Sequence, residues 1–393
     1  MGYRILTLNN ISIRGLERLP RDRYEIASEL SRPHGVLVRS ADMHAMKLGA
    51  SVLAVARAGA GTNNIPVAAL TKRGIPVFNA PGANANAVKE LVIASLLVAA
   101  RNVCQAWDFV RELTGEGAEL EAAVESGKKR FVGYELPGRT LGVIGLGAVG
   151  VEVANAAHAL GMRVLGYDPQ ITVQRAWQLS AGVTQALSVD DLFARSDFVT
   201  LHVPAVVATR GLVNAARIKL MKAGSALLNF ARAEIVVEGD VLAALDAGHL
   251  SCYVTDFPTA ASKAHAKVIA LPHLGASTGE AEENCAVMVA DTLREFLEHG
   301  NLRHSVNFPE AIMPRLPNTW RLAIANSNVP NMVGQISTAL AGAQLNIADL
   351  LNKSRADVAY TIIDTDAEVP EVIAARLRTI EGVLSVRLVG APA

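Results

Sequence analysis

The sequence predicts an α/β fold in three parts: a doubly wound parallel sheet domain, a smaller α/β domain into which it is inserted, and a C-terminal βαββαβ domain. Three observations lead to this prediction. Residues 137–273 repeat apolar strands and helices regularly, residues 1–84 do so on a smaller scale, and residues 319–393 follow a different order of elements. The chain of 393 residues is also long for a single domain.

The composition argues against several classes of protein. Hydrophobic residues make up 51% of the chain and charged residues 19%, and the formal net charge is zero. There is therefore no basic excess to bind nucleic acid or an anionic membrane. The longest apolar run, Leu91–Ala100, is too short to span a bilayer, and the N-terminus starts directly with a strand pattern. Cys104, Cys252 and Cys285 form no C-x-x-C pair, so we expect a cytoplasmic protein with reduced thiols and no metal site.

The first region combines two stretches that are distant in sequence. Its predicted strands are Arg4–Leu8, Gly35–Val38, Val52–Val55 and Val77–Phe78. A long helix from Asn86 leads into the second region, and a later helix, Glu280 to Glu298, is expected to pack back on the first. The expected domains are therefore 1–98 with 276–310, the inserted domain 99–275, and the C-terminal domain 319–393.

The second region contains near-continuous apolar strands separated by helices, a pattern typical of a parallel sheet covered on both faces. Six strands are predicted, at Leu141–Ile144, Arg163–Tyr167, Phe198–Leu201, Ala226–Asn229, Cys252–Thr255 and Val268–Ala270. After a proline-rich linker, the last region instead has the order strand, helix, strand, strand, helix, strand. This order predicts a small antiparallel sheet with two helices on one face.

The turn after Leu141–Ile144 carries a G-x-G-x-x-G pattern made by Gly145, Gly147 and Gly150. In such a turn the first glycine permits the tight bend, the second lets the backbone approach a pyrophosphate, and the third lets the helix pack on the strand. The N–H groups that begin the helix face the phosphates. Asp168, at the end of the next strand, can accept hydrogen bonds from the adenosine ribose. Because its carboxylate would repel a 2′-phosphate, the pattern predicts a site for NAD rather than NADP.

Two polar residues directly follow strands of the same predicted sheet. Arg232 follows Ala226–Asn229, and His273 follows Val268–Ala270. Ligands bind outside the carboxyl ends of strands in such sheets. A guanidinium fork suits a substrate carboxylate, and an imidazole can take the proton of a hydroxyl. With a nicotinamide beside them, these groups supply what hydride transfer from a 2-hydroxy acid requires.

Several motifs together resemble a known family. Gly-Leu-Gly-Ala-Val-Gly (145–150), Leu-His-Val-Pro (201–204), Asn-Phe-Ala-Arg (229–232) and Leu-Pro-His-Leu-Gly-Ala-Ser-Thr (271–278) are similar to those of the D-2-hydroxyacid dehydrogenases. Val-Pro (329–330) and the segments 345–348 and 359–364 resemble an ACT domain. The resemblance implies a Rossmann-type domain inserted in a flavodoxin-like domain, followed by a ferredoxin-like ACT domain.

The resemblance also implies an activity. The combination with an ACT domain and Ser-Val-Asn-Phe-Pro (305–309) points to the branch that oxidises 3-phospho-D-glycerate to 3-phosphohydroxypyruvate with NAD, the first step of L-serine biosynthesis. The alternatives are a dehydrogenase for another acid, such as 4-phosphoerythronate or glycerate, and a catalytically weak NAD-binding regulator that senses an amino acid. A homo-oligomer is expected.

The resemblance implies roles for individual residues. The expected catalytic residues are Arg232, His273 and Asp256. Cofactor contacts are expected at Gly145, Gly147, Ala148, Val149, Gly150, Asp168, His202, Val203, Pro204, Phe230, Ala231, Arg232, Asp256, His273, Gly275 and Ala276. Substrate contacts are expected at Arg39, Ser40, Arg57, Ala58, Gly59, Arg232 and His273. L-serine is expected to bind near Asn326, Asn328 and Asn346 if the C-terminal domain is regulatory.

The chain departs from the family at two places. The family places a glutamate shortly before the catalytic histidine, where this chain has Ala260, and no carboxylate occurs between Asp256 and His273. Three alternatives stay open: Asp256 partners the imidazole, a carboxylate such as Glu280 or Glu282 does, or the imidazole works unpaired. In the ACT-like domain, Asn326 stands where a histidine is usual and Asn331 where a glycine is usual.

Overall fold

The N-terminal sheet is parallel and has five short strands. The computed structural model describes residues 2–390. The strands are β1 (Tyr3–Leu8), β2 (Tyr24–Ala27), β3 (Gly35–Val38), β4 (Ala54–Arg57) and β5 (Val77–Phe78), in the spatial order β2-β1-β3-β4-β5. Two short helices, α1 (Ile13–Leu16) and α2 (Val67–Lys72), lie between them in sequence. The prediction missed β2, a half-exposed edge strand, and placed β4 two residues too early.

Residues 85–278 are built on a second parallel sheet of seven strands. The strands are β6 (Thr140–Ile144), β7 (Arg163–Tyr167), β8 (Val183–Gln185), β9 (Phe198–Leu201), β10 (Ser225–Asn229), β11 (Leu250–Thr255) and β12 (Val268–Ala270). Their helices are α3 (Ala85–Arg101), α4 (Val103–Glu112), α5 (Gly117–Gly127), α6 (Ala148–Ala159), α7 (Val173–Ala176), α8 (Val189–Arg195), α9 (Ala215–Ile218) and α10 (Glu238–Asp246). The predicted parallel sheet is confirmed, but the number of six strands is wrong because β8 is a short, mostly exposed edge strand.

The strand order of this sheet defines where a ligand can bind. The order is β12-β11-β10-β9-β6-β7-β8. From β6 the chain adds β7 and β8 on one side and then returns to add β9 to β12 on the other, so the switch point lies between β6 and β9. Every residue of β6 and β9 is buried, because helices cover both faces of the sheet. At such a switch point the loops after the two strands diverge and leave a crevice at their carboxyl ends.

The C-terminal region forms a third, antiparallel sheet. Its elements are β13 (Trp320–Ser327), α12 (Met332–Ala341), β14 (Ile347–Arg355), β15 (Val358–Thr365), α13 (Glu371–Arg378) and β16 (Val383–Val389), preceded by the long helix α11 (Gly279–His299). The sheet order β14-β15-β13-β16 fits an ACT domain, as predicted. Apolar side chains of one sheet face pack with α12 and α13, around Ile336 and Leu377.

The other face of this sheet shares a core with the N-terminal sheet. Ala323, Tyr360 and Ile362 belong to the same buried cluster as Leu37 of β3 and Val289 of α11. Helix α11 therefore packs back on the first region, as predicted. Accordingly, residues 2–84 and 279–390 form one compact unit, and residues 85–278 form the other.

No helix within residues 2–390 is long and apolar enough to cross a membrane. The same residues contain no group of three or more His, Cys, Asp or Glu side chains that could hold a metal ion.

Candidate active site

The three glycines after β6 have different surroundings, and the differences match their expected roles. Gly145 has a φ of 92°, and a Cβ on it would lie 2.7 Å from the carbonyl oxygen of His202. A Cβ on Gly150 would lie only 1.9 Å from the carbonyl oxygen of Gly145, so the helix can pack here only without a side chain. A Cβ on Gly147 would meet nothing within 4 Å. The backbone at Gly147 therefore faces open space where α6 begins at Ala148, as a pyrophosphate site requires.

Asp168 is fixed at the end of β7 by backbone donors. Its Oδ2 accepts a hydrogen bond from the N–H of Leu146 (2.9 Å), and its Oδ1 accepts one from the N–H of Gln170 (2.9 Å). The carboxylate is thus tied to the glycine-rich turn, half-buried, and keeps lone pairs for further donors. This is the arrangement that the hydroxyls of an adenosine ribose would need, so the residues present fit NAD.

The segment His202 to Pro204 follows β9, directly across the switch point from β6. The N–H of His202 donates to the carbonyl of Ile144 (2.7 Å), and its Nε2 lies 3.0 Å from the hydroxyl of Thr200. Burial lowers the pKa of His202 to about 3. The imidazole is therefore neutral near pH 7, so His202 can line a nucleotide crevice but cannot donate a proton from a cationic form there.

Arg232 stands on a short loop after β10 that Asn229 holds in place. The Asn229 side chain is fully buried; its Oδ1 accepts from the N–H of Ala231 (3.1 Å) and its Nδ2 donates to the carbonyl of Arg232 (2.9 Å). Phe230 and Ala231 are buried as well, whereas Arg232 is exposed. The guanidinium donates to the carbonyl of Ala231 (2.6 Å) and keeps further N–H donors for an anion.

His273 lies just beyond β12 in a left-handed backbone conformation, with a φ of 56°. Its exposed ring stands edge-on to Phe257, with 5.1 Å between the ring centres. Asp256, only 2% exposed, holds the following turn: Oδ1 accepts from the N–H of Leu274 (2.7 Å) and Oδ2 from the N–H of Gly275 (2.8 Å). The same turn continues into Ala276. The Asp256 carboxylate thus positions the backbone that carries His273.

The partner of the His273 ring remains a prediction. Within residues 85–278, no carboxylate forms a hydrogen bond with the imidazole, and Asp256 directs both oxygens to backbone N–H groups. Ala260 is exposed and supplies no polar group. Glu282, in the other unit, forms an ion pair with Arg39.

Two arginines expected to contact substrate follow adjacent strands of the N-terminal sheet. Arg39 and Ser40 follow β3, and Arg57 to Gly59 closes β4 and begins the next loop. The Arg57 Nε donates to the carbonyl of Arg39 (3.0 Å). A Cβ on Gly59 would lie 2.5 Å from the Arg57 guanidinium, so the absence of a side chain there makes room for it. Ala58, between Arg57 and Gly59, is buried.

Asn9 was missed by the sequence analysis. It follows β1 with a φ of 71°, and its Oδ1 accepts hydrogen bonds from the N–H groups of Ser40 (3.2 Å) and Ala41 (2.6 Å). It therefore fixes the loop that carries Arg39. Its position at the carboxyl end of a strand was the available signal.

The three asparagines proposed for regulation differ in exposure. Asn326 is 1% exposed; its Nδ2 donates to the carbonyl of Ser327 (2.8 Å), and its Oδ1 accepts from Thr361 (3.3 Å). Asn328 and Asn346 are exposed. Of these three amides, those of Asn328 and Asn346 are open to a ligand from solvent, and that of Asn326 is not.

Asn331 precedes α12 in the left-handed region, with a φ of 64°. Glycine adopts this conformation without strain, and asparagine tolerates it better than most other residues. The backbone geometry therefore accounts for an asparagine at a place where the family usually has glycine.

Comparisons with known proteins agree with this geometry. Residues 93–275 match the model described as "D-isomer specific 2-hydroxyacid dehydrogenase, NAD binding domain". The chain is 32% identical to a D-3-phosphoglycerate dehydrogenase of Haemophilus influenzae, over 84% of this chain and 79% of that protein. It is 29% identical to the D-3-phosphoglycerate dehydrogenase of Dictyostelium discoideum, over 98% of this chain and 97% of that protein.

A solved structure is similar over most of the chain. It is the NAD+-bound 3-phosphoglycerate dehydrogenase of Entamoeba histolytica, with a TM-score of 0.61, 26% identity, and coverage of 78% of this chain and 99% of that one. The motifs, the strand order and these relatives lead to one conclusion. The chain belongs to the D-isomer specific 2-hydroxyacid dehydrogenases and carries their NAD-binding domain.

Proposed function

We propose that this chain oxidises 3-phospho-D-glycerate to 3-phosphohydroxypyruvate with NAD, the first step of L-serine biosynthesis. The names of its relatives support this substrate. The observation that carries the proposal is the pair Arg39 and Arg57 on adjacent strand ends of the N-terminal sheet, in addition to Arg232. A substrate with both a carboxylate and a phosphate needs more cationic donors than a simple hydroxy acid.

Each residue of the site has a separate role in the reaction. Arg232 binds and orients the carboxylate, and His273 accepts the proton of the 2-hydroxyl group as C–H cleavage proceeds. When bound, NAD supplies the carbon that accepts the hydride. Asp256 and Asn229 act as positioning residues, because they hold the turns on which His273 and Arg232 stand.

A panel of acids tests the substrate. Formation of NADH is measured with 3-phosphoglycerate, 4-phosphoerythronate and D-glycerate, and kcat/KM for 3-phosphoglycerate should exceed that for D-glycerate at least about tenfold, equivalent to about 1.4 kcal/mol. Arg57→Gln should remove this preference. Arg4→Gln, at the opposite end of the same sheet, should keep it. Equal kcat/KM for the three acids contradicts the proposed substrate, and NAD binding without any turnover favours a regulator.

We also propose that L-serine binds at Asn328 and Asn346 and inhibits turnover. Side-chain amides offer both donors and acceptors, as the carboxylate and ammonium of an amino acid require. Millimolar L-serine should lower the rate of the wild type and have less effect on Asn346→Ala, whereas D-serine serves as the control. An unchanged rate with L-serine contradicts this proposal.

We propose further that α4 faces a second copy of the chain, in the cytoplasm. Val103, Trp107 and Val110 are each about half exposed on this helix, at 47%, 59% and 52%, an apolar stripe at helical spacing. Trp107→Glu should shift the sedimentation coefficient toward that of a monomer. The cysteines at 104, 252 and 285 are free thiols, which suits a reducing compartment.

A further inference from the structure

A cavity of about 480 Å³ lies between the ACT-like sheet and the N-terminal sheet, within the unit formed by residues 2–84 and 279–390. One wall is strand β16 with the end of α13, and the opposite wall is formed by the segments that precede β4 and β5. Phe296 and Tyr360 supply an apolar part of the lining. We propose that this cavity binds a small phosphate-bearing anion.

The charge of the lining supports an anionic ligand. Arg73, Arg378 and Arg387 line the cavity, and no Asp or Glu is among the described residues that line it. Of the three, Arg378 forms an ion pair with Glu371. For Arg73 and Arg387, no ion pair with a carboxylate is found in the described part of the chain.

These two arginines are anchored without being neutralised. Arg73 donates to the carbonyls of Leu48 (3.1 Å) and Gly49 (2.9 Å). Arg387 donates to the carbonyls of Phe296 (2.8 Å) and Leu297, at the C-terminal end of α11. Carbonyl acceptors hold a guanidinium in place but leave its full positive charge, and each side chain keeps further N–H donors. The donors are thus preorganised for an anion.

The charge of Arg387 also affects the pKa of a neighbouring histidine, His34. Burial lowers the pKa of His34, and the charges of Arg4, Arg387 and Arg32 lower it further. Arg387 therefore lies close enough to the His34 imidazole for its charge to act on that group.

The cavity lies at the amino ends of the strands of the N-terminal sheet, and the proposed substrate loops lie at their carboxyl ends. Arg39 and Arg57 stand at the carboxyl ends of β3 and β4, whereas Arg73 and Gly74 come just before the amino end of β5. Because these strands are parallel, Arg73 lies at the end of the strands opposite to Arg39 and Arg57. A ligand in the cavity is therefore separate from the substrate.

The class of ligand follows from the lining. Guanidinium forks match phosphate oxygens, and the Ser385 hydroxyl, which donates to the carbonyl of Gly74 (3.1 Å), lies in the same wall. The apolar floor leaves room for a short carbon chain. Inorganic phosphate and a small phosphomonoester share the required chemistry, and the volume is within the ordinary range for small-molecule sites.

The test measures binding of labelled inorganic phosphate to the full chain by equilibrium dialysis, with glycerol phosphate as a second probe. Ser385→Asp places a negative charge in the cavity and should weaken phosphate binding at least about tenfold. Ser385→Asn, which has the size of the aspartate variant without its charge, should weaken binding much less. Arg57→Gln should leave this site unchanged. Tighter binding of glycerol phosphate identifies a phosphomonoester site, and equal or tighter binding of phosphate identifies a site for the free ion.

Two results would overturn the proposal. One is the absence of phosphate binding at millimolar concentration, and the other is binding that Arg57→Gln removes while Ser385→Asp leaves it intact. If circular dichroism shows that the Ser385 variants do not fold, two variants of the exposed Arg73 replace them in the test. Arg73→Gln should then lose affinity that Arg73→Lys retains, and equal affinities in this pair contradict the proposal.

Discussion

The Oδ2 atom of Asp256 accepts a hydrogen bond from the backbone N–H of Gly275 at 2.8 Å. Its other oxygen accepts one from Leu274 at 2.7 Å, so a single buried carboxylate closes the turn that begins at His273. The left-handed backbone at His273 is held by this turn. The structure thus assigns Asp256, the residue directly after β11, a positioning role that its place in the sequence did not reveal.

Asp256→Asn should impair turnover more than cofactor binding. An amide can accept one of the two backbone hydrogen bonds, but its NH₂ group would face the other N–H and repel it. Loss of one charge-assisted hydrogen bond is worth about 1.5–3 kcal/mol, so we expect kcat to fall about 10- to 100-fold. Steady-state kinetics check this, together with a fluorescence titration of NAD. A kcat within twofold of the wild type contradicts the positioning role.

Gly147→Ala should weaken NAD binding, whereas Gly150→Ala should destabilise the fold. The Cβ of alanine at 147 meets nothing within 4 Å, so the protein should fold normally but lose NAD affinity about tenfold or more, because the methyl group occupies the phosphate space. At 150 the Cβ would overlap the carbonyl oxygen of Gly145 at 1.9 Å, so the free energy of unfolding should fall by several kcal/mol. Urea unfolding and NAD titration separate the two effects. Unchanged NAD affinity in Gly147→Ala would falsify the proposed cofactor site.

Asp168→Ala should change the choice of cofactor. It removes the acceptor for the ribose hydroxyls and the negative charge that a 2′-phosphate would meet. We expect kcat/KM for NAD to fall about tenfold or more and the NADP-to-NAD ratio of kcat/KM to rise at least as much. The ratio is measured at saturating 3-phosphoglycerate. A wild type equally active with both cofactors would contradict the role given to Asp168.

His202 predicts a dependence of stability on pH. Its pKa is about 3 in the folded chain and about 6.5 in the unfolded chain, so between these values the unfolded state binds more protons. The free energy of unfolding should therefore fall as the pH drops below 6.5. Because the side chain is only partly buried, we expect the wild type to lose about 1 kcal/mol more than His202→Gln between pH 7 and pH 5. Equal losses in urea unfolding contradict this prediction.

The sequence predicted those parts of the fold that carry strong local patterns. Buried central strands such as β6 and β9 are apolar runs, and the glycine turn has a fixed spacing. The edge strands β2 and β8 were missed because they are short and lack the continuous apolar pattern of the central strands, and only pairing with a neighbouring strand defines them.

The sequence also predicted part of the candidate site, namely the residues that directly follow apolar strands. Arg232 and His273 were found because each follows an apolar strand. The tasks of Asn9 and Asp256 were not found, because each accepts hydrogen bonds from backbone groups far along the chain. No local spacing in the sequence encodes such contacts.

The central claim is tested most directly by NADH formation from 3-phosphoglycerate and NAD in the wild type and in His273→Gln, with NAD binding titrated in both. General base catalysis contributes about 10²- to 10⁴-fold. We therefore predict turnover by the wild type and a kcat at least about 100-fold lower in His273→Gln, with NAD affinity unchanged within about twofold. A wild type that binds NAD but does not turn over, or a variant as active as the wild type, would contradict the account.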